Sequence, residues 1–369
     1  MNIKSIEVFA IRLPFIDPFI ISYHTYNDMP SIIVKVETDT GIIGYGEGTP
    51  DEHVTGETWE STYAVLTKTL APALIGDNPF QIEKIHDKMN KVVLGVPTAK
   101  AAIDIACYDI MGKATNQPIY NLLGGQYHDM LEVPKVISIL SPEEMATQAK
   151  TAISEGYKSL KLKVGTDKEL DFKRICAVRA AVGSDVPIKV DANQGWVNSY
   201  NTLYVLERIK ACNVELIEQP VVANDIDALL EVKQKTTIPI MIDEGLHGSK
   251  ELKEVIVKRA ADKINIKLMK CGGLYPATQL VHQAELGGID CQIGSMVESA
   301  VASAAGLHLS LAKKSIHSNE LVGPLMFSKD IATLRYELPY VYLSEAPGLG
   351  IEVDEQALTE LTTESMLIQ

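Results

Sequence analysis

KSLKLKVG (158–165), PIKVDANQGW (187–196), ELIEQPV (215–221), PIMIDEG (239–245), KINIKLMKCGG (263–273) and CQIGSMVES (291–299) are short β-rich runs at nearly constant spacing. Lys163 to Asp191 is 28 residues, Asp191 to Glu218 is 27, Glu218 to Asp243 is 25, Asp243 to Lys267 is 24, and Lys267 to Ser295 is 28. Between the runs lie DFKRICAVRAAVG (171–183), NTLYVLERIKACN (201–213), DIDALLEVKQKTT (225–237) and KELKEVIVKRAAD (250–262), whose apolar residues recur at helical intervals. One strand, one helix and two loops need about this many residues, and six or more such units close into a parallel α/β barrel. A weaker run, SIHSNELVGPL (315–325), extends the series. The rival, a doubly wound open sheet, normally carries GxGxxG after its first strand, and the chain has none.

Upstream the pattern differs. SIEVFAIRL (5–13), SIIVKVET (31–38) and GIIGYGEG (41–48) read as strands, with a turn at Asp39-Thr40-Gly41. From Glu57 to about Asn121 the period becomes helical, so this region reads as an α+β unit placed before the barrel.

The chain has 369 residues, 46% hydrophobic and 22% charged, enough for a large core. No apolar run reaches membrane-spanning length, and MNIKSIEVFAIRLPF alternates like a strand and not like an export signal. A cytoplasmic protein without membrane association is expected. Five cysteines, odd in number and without a CxxC pair, argue against a disulfide framework or structural zinc. The net charge of −14 opposes binding to nucleic-acid phosphate. The expected partners are a small-molecule substrate, a metal ion and further copies of the chain in a homo-oligomer.

In each repeat the ionisable residue falls at the C-terminal end of the apolar run, and a barrel gathers those ends around one mouth. A single acid at a strand end is more often a helix cap or salt-bridge partner. Asp191, Glu218 and Asp243 on successive strands are harder to explain that way, because three inward carboxylates repel one another unless a cation neutralises them. Oxygen-only ligands indicate a hard divalent ion, most simply Mg²⁺, one per subunit. Lys161 and Lys163, two apart, share one face of their strand, and Lys267 lies two strands beyond Glu218. A lysine near a strand end commonly snorkels to solvent, and Lys161 alone reads that way. Lys163 and Lys267 in apolar runs fit bases whose pKa falls near a cation, able to remove a proton next to a carboxylate. The enediolate so produced is stabilised by the metal, and two bases on opposite faces invert the stereocentre.

The motif set GYGE, TGE, AAIDIACYDI, KLK, DANQGW, IEQP, MIDEG, INIKLMKCGG, GSMVES and PGLGIE resembles the enolase superfamily, specifically its muconate-lactonising subgroup, over essentially the whole chain. The resemblance implies a modified TIM barrel of (β/α)7β type, capped by the N-terminal α+β unit and completed by the C-terminal segment. The implied bounds are 1–125 for the cap, 126–328 for the barrel and 329–369 for the returning segment. It also implies Asp191, Glu218 and Asp243 as metal ligands, Lys163 and Lys267 as the acid/base pair, and Lys161 as partner of the substrate carboxylate. Asn193 and Glu244 support that shell, and Phe19 to Tyr26 form a loop closing over substrate. Phe19, His24, Ser295, Met296, Glu320 and Val322 are the further substrate-contacting candidates.

Within the subgroup the chain is most similar to dipeptide epimerases, with two departures. Members acting on Ala-Glu carry an arginine where His24 stands, and Ile20, Ile21, Tyr23 and Tyr26 suit apolar or aromatic side chains. The Asp-x-Asp that holds a substrate ammonium is replaced by Glu320-Leu321-Val322. The expectation is an isomerase that epimerises L,L-dipeptides with uncharged or hydrophobic side chains. The alternatives are an N-acyl- or N-succinyl-amino-acid racemase, a muconate-type cycloisomerase and an o-succinylbenzoate synthase. A non-catalytic barrel gains nothing from burying so many charges.

Overall fold

The computed structural model describes residues 1–369. Strands β1 (Ile3–Ile20) and β2 (Thr25–Thr38) pair antiparallel, and β3 (Ile43–Gly48) extends the sheet beyond β2. Strand alternation divides this sheet's faces. Ile6, Val8, Ala10, Ile32, Val34 and Val36 face the helices of the cap, while Phe9, Ile11, Leu13 and Ile33 join the barrel's core. Burying each of these last four side chains stabilises by roughly 1.5–3 kcal/mol. They outweigh exposed pairs such as Arg12–Asp28, worth about 0–1 kcal/mol, in fixing the sheet on the barrel.

On β3, every second residue is glycine: Gly44, Gly46 and Gly48. A Cβ on Gly44 or Gly46 would collide with the carbonyls of Ala106 and Ala102 in the helix Pro97–Thr115. The spacing lets helix backbone lie directly on strand backbone.

After a short β4 (Leu131–Glu132), eight parallel strands follow one another in sequence order. They are β5 (Lys135–Ile137), β6 (Leu160–Lys163), β7 (Ile188–Asp191), β8 (Leu216–Glu218), β9 (Ile240–Ile242), β10 (Lys263–Ile266), β11 (Asp290–Ile293) and β12 (Ile316–Asn319). Seven helical connections separate them, giving the expected (β/α)7β order. No strand ladder joins β12 to β5; Asn319 Nδ2 instead donates to Glu132 O at 3.3 Å near that seam. β13 (Arg335–Glu337) pairs with β14 (Tyr340–Tyr342), which pairs in turn with β4, and β15 (Thr362–Ile368) runs antiparallel to β1. The C-terminal segment therefore completes the N-terminal sheet. The first barrel strand escapes the sequence reading: three residues behind Pro134 are too few to show a period. No helix is long and apolar enough to cross a membrane.

Candidate active site

Strand register assembles the charged ring. Lys163 lies beside Asp191, and Asp191 beside Glu218, each at the last position of its strand. Asp243 follows the end of β9, and Lys267 follows the end of β10. One ligand oxygen from each of Asp191, Glu218 and Asp243 lies within 4.8 Å of the others, and all three residues are fully buried. Glu218 Oε2 and Asp243 Oδ2 accept no aligned hydrogen bond, although Lys161 and Lys267 ammonium nitrogens stand 2.7 Å away from them. Buried carboxylate oxygens with a free lone pair, converging from three strands, are the donor set of one hard divalent ion.

Lys161 Nζ contacts Asp191 at 3.0 Å, Glu218 at 2.7 Å and Glu320 at 2.6 Å. It is enclosed by acids and does not snorkel. Lys163 Nζ donates to Asp191 Oδ2 at 2.7 Å and to Asn193 Oδ1 at 3.0 Å. Lys267 reaches Asp243 Oδ2 at 2.7 Å. β6 and β10 are four strands apart in a ring of eight, which puts Lys163 and Lys267 on opposite sides of the mouth.

Burial opposes ionisation of Asp191, but Lys161 and Lys163 outweigh it and hold the carboxyl at about 2. Asp243 is likewise held below the usual range, where burial is overcome by Lys267 and Lys270. Glu218 is pushed well above the range by burial and then by Asp191 and Glu320. Glu244 rises to about 7, through burial and then Asp243 and Asp191. Burial lowers the Lys267 pKa, yet Asp243 and Glu244 prevail and set it above the ordinary lysine value. The fall expected from sequence is therefore not produced by the protein's own charges.

Phe19, Lys161, Lys163, Asn193, Lys267, Ser295, Met296, Glu320 and Val322 line one pocket beneath the β1–β2 hairpin. Phe19–Tyr26 is the end of that hairpin, with Phe19 paired to Tyr26 and Ile20 to Thr25. Glu244 lies below the pocket surface, accepting from Asn193 Nδ2 at 3.0 Å. His24 is not among the lining residues; it is exposed, and its ring packs tilted against Tyr26 with centroids 4.3 Å apart. The arginine-equivalent place therefore carries no group into the pocket, because the hairpin turn directs it outward. Trp196 is a packing residue, buried and donating to Asp171 Oδ2 at 3.0 Å.

Two residues passed over in the sequence carry part of the site. Asp51, 6% exposed, lines the pocket and accepts from Tyr26 at 2.5 Å, Tyr23 at 3.4 Å and the backbone of His53 and Val54. It sits in a loop without periodicity, and only its nearness to the GYGEG strand marks it. Lys270, three residues after Lys267, is fully enclosed and donates to Asp243 Oδ1 at 2.6 Å and to Asn265 O at 3.0 Å. A second lysine in KLMK was its available signal.

Residues 5–124 match the family model "Mandelate racemase / muconate lactonizing enzyme, N-terminal domain", and residues 144–357 match "Enolase C-terminal domain-like". The chain is 60% identical over 362 residues to an N-succinyl-L-Arg/Lys racemase of Bacillus cereus, covering 98% of each. That racemase's crystal structure superposes with a TM-score of 0.99 over 100% of both chains at 59% identity. A hydrophobic dipeptide epimerase of Enterococcus faecalis is 39% identical over 355 residues, covering 95% of this chain and 99% of the relative. A structure of the dipeptide epimerase from that organism, complexed with Mg and L-Leu-L-Tyr, gives a TM-score of 0.92 at 38% identity, over 95% of this chain and 100% of the other. With both halves of the chain matched and the barrel's charged ring in place, the protein belongs to the mandelate racemase/muconate lactonizing enzyme family of the enolase superfamily, among isomerases acting on amino acid derivatives.

Proposed function

We propose that the chain racemises N-succinylated basic amino acids, of the arginine and lysine type, at the α-carbon. The observation that carries this reading is the disposition of the pocket's two carboxylates. Glu320 is engaged by Lys161, and its neighbour two residues on is the apolar Val322, so no carboxylate pair greets a substrate ammonium. An acylated nitrogen, which is uncharged, suits that wall. Asp51 is buried and hydrogen-bonded but has no lysine or arginine partner, an arrangement that a cationic side chain completes. Tyr23 and Tyr26 line the pocket beside it and donate their hydroxyls to the same carboxylate, fixing its direction. The identity to the B. cereus racemase supports this reading. The dipeptide with uncharged side chains, expected from the sequence, gives way because Asp51 makes the pocket anionic where only apolar groups were anticipated.

Asp191, Glu218 and Asp243 would hold Mg²⁺, with Asn193 and Glu244 behind them. Bound there, the ion supplies the fixed positive charge against which negative charge developing on the substrate carboxylate is stabilised. Lys161 orients that carboxylate. Lys163, as the free amine, takes the α-proton from one face, and the Lys267 ammonium returns a proton to the opposite face. The reverse reaction exchanges their roles.

The test is incubation of the Mg²⁺-loaded protein with N-succinyl-L-lysine, N-succinyl-L-norleucine and L-Leu-L-Tyr in heavy water. Racemisation with deuterium at the α-carbon is expected fastest for N-succinyl-L-lysine. Faster turnover of the dipeptide would overturn the proposal.

A further inference from the structure

Three hydrogen bonds join the end of the β1–β2 hairpin, Ile20 to Ser22, to the barrel. Ile139 N donates to Ile20 O at 3.0 Å, Ile20 N donates to Ser138 Oγ at 3.3 Å, and Ser22 Oγ donates to Asn193 O at 2.8 Å. The first two bonds secure the hairpin's flank. The third ends on a residue of the charged ring.

Asn193 is 5% exposed and uses every polar group it has. Its N–H donates to Asp191 Oδ1 at 2.9 Å, its Oδ1 accepts from Lys163 Nζ at 3.0 Å, and its Nδ2 donates to Glu244 Oε1 at 3.0 Å. Its carbonyl accepts the Ser22 hydroxyl and no backbone N–H. The residue sits at φ 39°, next to Gln194 at φ 67°, in the left-handed region, which asparagine tolerates and glutamine adopts less readily. The Gln194 conformation persists because its surroundings fix it. Here the surroundings are the ring on one side and Ser22 on the other. The seat is close: a Cβ added to Gly165 would lie 3.1 Å from Ser22 Cβ, and Gly195 packs on Gly165 backbone.

We propose that Ser22 is a positioning residue for Lys163: by holding the Asn193 carbonyl it sets the peptide whose side-chain oxygen directs the Lys163 amine. The inference rests on the two-lysine reading above, for which Lys163 is one of the bases. Lys267 makes no hydrogen bond to Asn193; it is held by Asp243 on the far side of the ring, and the Asn193 bond to Glu244 reaches it only through that acid's charge. The relay's direct contact is therefore with the base on one face of the substrate. A hairpin contact that merely closed the pocket would serve both faces alike.

The measurement is α-proton exchange into heavy water, followed separately for the two enantiomers of N-succinyl-lysine and of Leu-Tyr, with Mg²⁺ present. Lys163→Ala identifies the enantiomer whose proton Lys163 removes. Ser22→Ala is expected to slow exchange of that enantiomer by about five- to tenfold, the range for one lost hydrogen bond, and that of the other by less than about twofold. In an Asn193→Ala background, where the carbonyl remains but the side-chain link to Lys163 is gone, adding Ser22→Ala is expected to produce no further one-sided loss. Equal slowing of both enantiomers, no slowing, or persistence of the one-sided loss in the Asn193→Ala background would overturn the relay. Absence of exchange by the unaltered protein on both substrates would overturn the two-lysine reading and the relay with it.

Discussion

Lys163 and Lys267 are each anchored to an aspartate of the triad, so each amine is fixed in direction before substrate arrives. Replacing either by alanine is expected to lower racemisation by about 10³-fold or more, while leaving α-proton exchange of one enantiomer measurable, a different one for each variant. NMR in heavy water on resolved enantiomers checks this, and loss of the same enantiomer in both variants would contradict opposed bases. Under the proposed function Asp51 sets specificity. Asp51→Asn keeps the hydrogen-bond acceptor for Val54 N–H and removes the charge. It is expected to cut kcat/KM for N-succinyl-lysine by about 10- to 100-fold, the scale of a charged hydrogen bond in a buried site, with little change for N-succinyl-norleucine. Steady-state rates on the pair decide it. At this scale the sequence disclosed the acids and lysines because each stands at the end of a β-rich run, a position with geometric meaning. Asp51 and the outward turn of His24 were hidden because loop direction depends on the hairpin's pairing, which no local period records.

Between elements, packing explains what propensity does not. GYGEG on β3 reads as a weak strand, yet its glycines are required by the helix laid across it. Gly46→Ala is expected to lower the melting temperature by about 4 °C or more or to prevent folding, since backbone and not a flexible side chain stands in the way; the scale is roughly 3 kcal/mol of overpacking. Thermal unfolding by circular dichroism measures it. The helix Ala300–Ala312 carries a fully buried imidazole: His308 Nδ1 accepts from Tyr120 N–H at 3.1 Å, and burial depresses its pKa from an ordinary 6.5 to about 4. A base depressed in the fold binds protons more readily when unfolded. Its contribution to stability is therefore complete above pH 6.5 and lost as pH falls toward 4, at most about 3 kcal/mol. His308→Asn, which retains an acceptor, is expected to flatten the loss of melting temperature between pH 6.5 and 4. An unchanged slope would remove His308 as its cause. The parallel strands were legible from their spacing except β5, whose three residues depend on the neighbouring β6 for their existence.

As a whole molecule, the protein is a barrel whose mouth is walled by its own N-terminus, with β15 of the C-terminal segment closing the far edge of the same sheet. That return was foreseen only through resemblance, since TTESMLI at 362–368 pairs with residues more than 350 positions away. Five buried acids, Asp191, Glu218, Asp243, Glu244 and Glu320, face four buried lysines, Lys161, Lys163, Lys267 and Lys270. The acids outnumber the lysines by one, and the three carboxylates whose oxygens lie within 4.8 Å of one another repel until a divalent ion joins them. Chelation of divalent ions is expected to abolish racemisation and lower the melting temperature, and added Mg²⁺ to restore both in a concentration-dependent way. The most direct test is a crystal structure with Mn²⁺ in place of Mg²⁺ and N-succinyl-lysine bound, read by anomalous scattering. One anomalous peak touching Asp191, Glu218 and Asp243 is expected, with the substrate α-carbon between the Lys163 and Lys267 amines. A peak elsewhere, or both amines on one side of that carbon, would contradict that arrangement.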